Sequence, residues 1–328
     1  MSAEPAPADD ESPSEPPPAK APATGLRRWA VPLGLIALTF ASTTYVGAGM
    51  TDRPAGTPPR LVDGLAFALP LMAILLAHEF GHFIAGRRHG VDISPPYFIP
   101  MPVFLLGTMG AVIRMRGAIR NRNALLDVGA SGPLAGLVVA LPVLAYGLWT
   151  SDIRDLPPAG QGYIIEGRGI LYLAMLYLAK GPIPDGKDIF LTPTAFAGWA
   201  GLLVTMINLI PVGQLDGGHV AYALFGERQN RFSERVRRAL PWLGIGVSLA
   251  YGIPAYLSGI RGDSLTYELL AGVQWMVWAA MLWVMTRLGG PKHPPTGAEP
   301  LSPRRRIVAI ATLAIFVLLF MPSWVRQQ

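Results

Sequence analysis

The sequence predicts an all-α polytopic membrane protein with about seven transmembrane helices and a small re-entrant element of β-strand or loop. Three observations support this fold class. Hydrophobic residues make up 51% of the 328 positions and charged residues only 15%, a balance typical of proteins that cross a membrane several times. Seven apolar stretches approach or exceed the roughly 20 residues that a bilayer requires. Basic residues recur at the ends of these stretches instead of forming one patch, which argues against nucleic-acid binding.

The chain divides into four parts by composition. Residues 1–25 are rich in Pro and Ala, and we expect a disordered tail because they bury too little apolar surface to fold. Residues 26–60 hold an N-terminal transmembrane helix and a loop, residues 61–226 form a core, and residues 227–328 hold C-terminal transmembrane helices. The predicted spans are Trp29–Met50, Leu61–Arg88, Ala124–Trp149, Thr192–Phe225, Ala239–Gly259, Tyr267–Leu288 and Ile307–Trp324. Pro211 and Gly213 are expected to break or kink the fourth of these spans.

The distribution of charge predicts the orientation. Arg27 and Arg28 precede the first span, and Arg87 and Arg88 end the second, so the positive-inside rule places the N-terminus in the cytoplasm. Under this topology 19 of the 27 lysine and arginine residues lie on the cytoplasmic side. We therefore expect a multi-pass protein of the cell membrane. The absence of cysteine excludes disulfides and thiolate metal ligands.

Two regions between the spans are not simple loops. In residues 91–122, the prolines at 95, 96, 100 and 102 exclude a helix, and we expect extended strands or a re-entrant loop lying against the helices. Residues 111–116 alternate like an edge strand, which either pairs with an extended polypeptide or forms a plain hairpin. In residues 150–190, the apolar stretch Ile170–Ala179 is too short to span and predicts a short interfacial helix. The linker 289–303 is predicted to be flexible, and Arg304–Arg306 to anchor the topology.

The second span contains the motif His78-Glu79-Phe80-Gly81-His82. Residues four apart lie on one face of a helix, so His78 and His82 can present two imidazole nitrogens to one metal ion. Glu79 is placed to accept a proton from a metal-bound water, as in hydrolases with this motif. Since the histidines lie about 15 Å and 9 Å along the helix from Arg88, these polar groups sit at membrane depth, where ionisable residues indicate a functional site.

A third ligand is expected from elsewhere in the chain. The candidates are Asp216, His219, Asp92 and His89, and we favour Asp216 because it belongs to the only other polar cluster inside a span, at similar depth. His219 is either a ligand or a partner of one, whereas we expect His89 to be solvated and Asp92 to be a turn residue. Asn208 either holds a substrate carbonyl or oxyanion, or makes a helix-packing hydrogen bond.

The His78-Glu79-x-x-His82 motif, together with Asn208-x-x-Pro211 and Asp216-Gly217, resembles the paired signature of the site-2 protease family of intramembrane metalloproteases. The glycines from Gly129 to Gly136, which mainly indicate close packing of another helix, are similar to that family's middle helix. The resemblance implies one Zn²⁺ held by His78, His82 and Asp216, Glu79 as general base and acid, and Asn208 as a substrate contact. The Pro-rich segment and Gly107-Thr108-Met109-Gly110 resemble the branch without a PDZ domain.

We therefore expect an intramembrane zinc metalloprotease that acts in the lipid bilayer and hydrolyses peptide bonds in or near transmembrane segments of membrane-spanning protein substrates. The alternative is a membrane metal-ion transporter that uses the same buried ligands. Such a transporter would not need Glu79, so Glu79→Gln distinguishes the two. A catalytically silent scaffold of the same fold is the third possibility.

Overall fold

The computed structural model describes residues 26–50, 57–113, 115–116, 119, 121–157, 163–289, 296–297 and 299–327. The predicted disordered tail and about half of the predicted flexible linker lie outside these residues. The helices are α1 (Leu26–Ala48), α2 (Leu65–Arg88, after a 3-10 turn at Leu61–Gly64), α3 (Arg122–Thr150), α4 (Ile170–Lys180), α5 (Pro193–Asn208), α6 (Asp216–Phe225), α7 (Arg228–Leu257), α8 (Gly262–Leu269), α9 (Val273–Gly289) and α10 (Pro303–Leu319).

Among the residues that the structure describes, five helical segments are long and apolar enough to cross a membrane. They are Arg28–Ala48, Leu61–Arg88, Arg122–Thr150, Arg228–Leu257 and Gly262–Arg287, so the prediction of a helical membrane protein is confirmed. The predicted fourth span forms two helices, α5 and α6, separated by residues 209–215, which include Pro211 and Gly213, and α10 has only 17 residues. The count of seven crossings stays a prediction, because α5 and α6 are each shorter than a membrane-spanning helix and α10 is at the lower limit of length.

Helix α3 lies at the centre of the core and packs against α2, α5 and α6. Its contact with α5 is close because the two helices meet through glycine: a Cβ on Gly198 would lie 2.6 Å from the Cα of Leu144, and one on Gly147 would lie 2.3 Å from the Cα of Ala195. Small residues let membrane helices approach in this way. Fully buried side chains such as Leu144, Leu148 and Trp199 fill the surrounding core.

The region between α2 and α3 contains short antiparallel strands, as the sequence predicted. β1 (Asp92–Ile93) pairs with β4 (Met115–Arg116), and β2 (Tyr97–Pro100) pairs with β3 (Thr108–Val112). The β2–β3 pair lies along α1, where Ser42 Oγ donates a hydrogen bond to the Gly107 carbonyl at 2.6 Å. Penetration of these strands into the membrane stays a prediction.

Four strands elsewhere were not predicted. β5 (Asp152–Asp155) pairs with β7 (Lys187–Phe190), and β6 (Ile164–Glu166) pairs with β8 (Val325–Gln327). Between them, α4 forms where the sequence predicted a short helix. The segment after α10 thus folds back onto the 150–190 region, and Trp275 Nε1 holds it there by donating to the Pro322 carbonyl at 2.6 Å.

Candidate metal centre

The two motif histidines lie one above the other on the buried face of α2. An apolar sequence that is interrupted by the motif itself and ends at Arg87 and Arg88 forms this helix, and the four-residue spacing places both rings on one side. His78 and His82 are 3% and 9% exposed. Their Nε2 atoms are 3.2 Å apart and point to a common position.

Asp216 completes the group from a different part of the chain. It is the first residue of α6, and its Oδ2 lies 3.2 Å from His82 Nε2 and 3.3 Å from His78 Nε2. His78, His82 and Asp216 are also the group of possible metal ligands found among the described residues. Asp216 was favoured in the sequence because it lies at a depth similar to that of the histidines, and the fold brings it to both of them.

The three remaining sequence candidates have other positions. His219 is buried on α6, with its Cβ against Gly129 of α3. His89 was expected to be only solvated, but its Nε2 lies 2.8 Å from Asp127 Oδ2. Asp92 was expected in a turn, but it begins β1, where its Oδ1 is 3.5 Å from Arg28 Nη2.

The donor atoms fit a single zinc ion. Ligands about 2.0 to 2.1 Å from a tetrahedral ion lie about 3.3 Å from one another, and the three separations here are 3.2, 3.2 and 3.3 Å. Two imidazole nitrogens and one carboxylate oxygen suit zinc, and three protein ligands leave a fourth position open, as in catalytic sites.

The tautomer of His82 is set by a main-chain group that the sequence reasoning missed. His82 Nδ1 donates to the carbonyl of Val128 in α3 at 2.7 Å. Because that nitrogen carries the proton, Nε2 keeps its lone pair and can bind a metal. A carbonyl is available at every position, so no residue type marks Val128 in the sequence.

The glycines of α3 make room for both histidines. A Cβ on Gly132 would lie 2.1 Å from His82 Nε2, and one on Gly136 would lie 3.2 Å from the Cβ of His78. We interpreted this glycine series as a packing signal, and the structure shows what packs there. The spacing of 129, 132 and 136 places these glycines on the helix face that meets the centre.

Glu79 and Asn208 lie beside the three donors. Glu79 is 8% exposed, and its carboxyl group interacts electrostatically with His78, His82 and Asp216. Asn208 is the last residue of α5, and its Nδ2 lies 3.4 Å from His78 Nε2. Because the chain breaks between α5 and α6, the Asn208 amide and the Asp216 carboxylate both lie beside His78.

Helix α7 holds the loop that makes this break. Gln229 Nε2 donates to the carbonyl of Pro211 at 2.6 Å, and Gly213 N donates to Ser233 Oγ at 2.8 Å. Gly213 has a φ of 56°, a conformation that glycine adopts without strain. These two loop groups, which have left the helical ladder, are thereby satisfied within the protein.

Together, the helices and the site define a membrane protein with the metal-binding motif of a hydrolase. A family model, Peptidase family M50, matches residues 66–251. The chain therefore belongs to peptidase family M50, the site-2 proteases, which confirms the resemblance seen in the sequence. This membership favours peptide hydrolysis over metal-ion transport.

Similar curated proteins come from plants. The probable zinc metalloprotease EGY2, chloroplastic, of Oryza sativa subsp. indica is 37% identical over 175 residues, covering 51% of this chain and 30% of that protein. EGY1 of Arabidopsis thaliana, also named a probable chloroplastic zinc metalloprotease, is 28% identical over 334 positions, covering 92% of this chain and 54% of that protein. The chain thus spans about half or less of the length of these relatives. No solved structure matches.

Proposed function

We propose that the chain is an intramembrane zinc metalloprotease that hydrolyses peptide bonds in or near transmembrane segments of membrane proteins. One observation carries the proposal: His78, His82 and Asp216 place their donor atoms within 3.3 Å of one another, beside Glu79, on helices that include membrane-spanning ones. The names of the curated relatives support the assignment of zinc.

The residues divide the reaction among them. His78, His82 and Asp216 would hold the zinc ion, which would supply the Lewis acidity that lowers the pKa of a water and polarises the scissile carbonyl. Glu79 accepts the proton of the attacking water and passes it to the leaving amine, so that one water and one peptide bond become a carboxylic acid and an amine. Asn208 donates its amide hydrogen to the carbonyl oxygen as negative charge develops there.

The proposed substrate is a membrane-spanning helix that unwinds locally, since a helical carbonyl is already hydrogen-bonded and shielded. The β2–β3 pair offers a candidate support for an unwound segment, because an extended chain can add to a strand edge. For orientation, we propose that the N-terminus and the site face the cytoplasm of a cell membrane, on the basis of the arginines that flank the spans. The curated relatives, by contrast, are named chloroplastic.

The decisive experiment compares Glu79→Gln with wild type on a model single-span substrate in detergent. We expect cleavage to fall by about 10²- to 10⁴-fold, because the general base is lost, while one zinc per chain is retained. Glu227→Gln is the matched control, since Glu227 is an exposed carboxylate that lies two residues after the end of α6. Equal cleavage by wild type and Glu79→Gln would refute the proposal.

A further inference from the structure

Asp127 of α3 joins three parts of the chain that are distant in sequence. Arg305 of α10 donates from Nε to Asp127 Oδ1 at 2.9 Å and from Nη2 to Oδ2 at 2.6 Å. His89, just after α2, places its Nε2 2.8 Å from the same Oδ2. A paired guanidinium–carboxylate contact of this kind fixes direction as well as distance. We call Asp127, Arg305 and His89 the ionic cluster.

The ionic cluster lies next to the support of the metal centre. Asp127 directly precedes Val128, whose carbonyl accepts the hydrogen bond from His82 Nδ1. Helices α2 and α3 are therefore connected at two levels, by His82 with Val128 and by His89 with Asp127. Rotation or sliding of α3 would disturb both connections at once.

Helix α10 also packs against the two helices that serve the centre. Its Ala309 is fully buried in a cluster with Leu126 of α3 and with Val220 and Ala223 of α6, the helix that begins at Asp216. The backbone N–H of Ser302, at the start of α10, donates to Asn123 Oδ1 of α3 at 3.2 Å. Helix α10 thus packs against both α3, whose Val128 carbonyl binds His82, and α6, which begins at Asp216.

The neighbours of Arg305 show that this contact is specific. Arg304 and Arg306 are exposed, whereas Arg305 is partly buried against Asp127. An anchor of topology needs charge at the end of a helix but no fixed partner. The paired geometry at Arg305 therefore indicates a role that its two neighbours do not share.

We propose that α10, which lies outside the region matched by the family model, supports the geometry of the metal centre. Within α10, Arg305 is a positioning residue for His82. Arg305 acts by holding Asp127, and with it the Val128 carbonyl, in the register that aims His82 Nε2 at the ion. This inference rests on the proposed metal centre but not on the identity of the substrate.

The test measures zinc affinity of the full-length protein in detergent by competition with a fluorescent chelator, with His78→Ala defining binding outside the site. We expect Arg305→Gln to weaken zinc binding by about 3- to 10-fold, less than is typical for groups in direct contact with a ligand. Arg304→Gln and Arg306→Gln are the matched controls and should bind zinc as wild type does. Arg305→Lys keeps the charge but not the paired guanidinium geometry, so its zinc affinity should fall between that of Arg305→Gln and that of the controls.

A double-mutant cycle tests the coupling. If Arg305 acts through Asp127, Asp127→Asn with Arg305→Gln should weaken zinc binding no more than the worse single variant. Melting temperatures in excess chelator show whether each variant folds without zinc. Equal zinc affinities for Arg305→Gln and Arg304→Gln, or additive losses in the cycle, would overturn the role of Arg305 but leave the proposed metal centre intact. Equal zinc binding by wild type and His78→Ala would instead show that the proposed metal centre is wrong.

Discussion

The imidazole of His82 is fixed on three sides. Its Nδ1 donates to the Val128 carbonyl, its Nε2 faces Asp216, and its ring lies against the bare backbone at Gly132. Sequence spacing predicted that His82 shares one helix face with His78, because a four-residue interval on a helix aligns two side chains. It could not predict the supports, since a carbonyl and a missing side chain carry no chemical signature of their own.

Gly132→Ala tests the need for that bare backbone. The added Cβ would lie 2.1 Å from His82 Nε2, so the ring must move out of its position. We expect zinc affinity to fall by about 10-fold or more and cleavage to fall with it. Gly246→Ala is the matched control, because Gly246 is also helical but a Cβ there meets nothing within 4 Å. Chelator competition on both variants checks the prediction, and unchanged zinc affinity in Gly132→Ala would contradict it.

At the scale of elements, prediction succeeded where one strong local rule applied. Prolines excluded a helix in residues 91–122, and strands are found there. Pro211 and Gly213 predicted a break, and α5 ends before them. The pairing of β6 with β8 was missed because the three residues 164–166 pair with the three residues 325–327, which lie about half the chain length away. So short a segment shows no periodicity from which a partner can be inferred.

The same region contains a buried carboxylate with a testable dependence on pH. Tyr172 donates to Glu166 Oε1 at 2.7 Å, and Arg168 joins Glu166 to Asp188. Burial raises the pKa of Glu166 above its usual 4.5, and the Arg168 charge and the Tyr172 hydrogen bond oppose this shift. The unfavourable contribution of ionised Glu166 is therefore absent below pH 4.5 and present above the raised pKa.

Tyr172→Phe removes a donor that stabilises the ionised form of Glu166. We expect the free energy of unfolding to fall by about 1–3 kcal/mol at about pH 8 and by less at about pH 4, where Glu166 is protonated. Tyr177→Phe on the same helix is the control, because Tyr177 is exposed and its loss should be neutral. Thermal melting at both pH values gives the answer. A loss that is equal at the two values would show that Glu166 is not the group involved.

At the scale of the whole molecule, hydropathy predicted the helices but not how many of them cross. Five segments in the described part of the chain have the necessary length, while length alone does not decide whether the α5–α6 pair and α10 cross. At 1.5 Å per residue, the 17 residues of α10 extend about 25 Å, somewhat less than the hydrocarbon thickness. A broken span such as α5 with α6 can still cross, because α7 satisfies its loop at Pro211 and Gly213.

The cysteine-free chain allows both topologies to be tested directly by single cysteines at Ser14, Thr150, Ser258 and Glu299. With seven crossings and a cytoplasmic N-terminus, a membrane-impermeant maleimide should label positions 150 and 258 in intact bacterial cells, and positions 14 and 299 only after permeabilisation. If α5 with α6 and α10 do not cross, positions 258 and 299 exchange sides while 14 and 150 keep theirs. Labelling of position 14 in intact cells would reverse the proposed orientation. The wild-type chain, which has no thiol, is the control for background labelling.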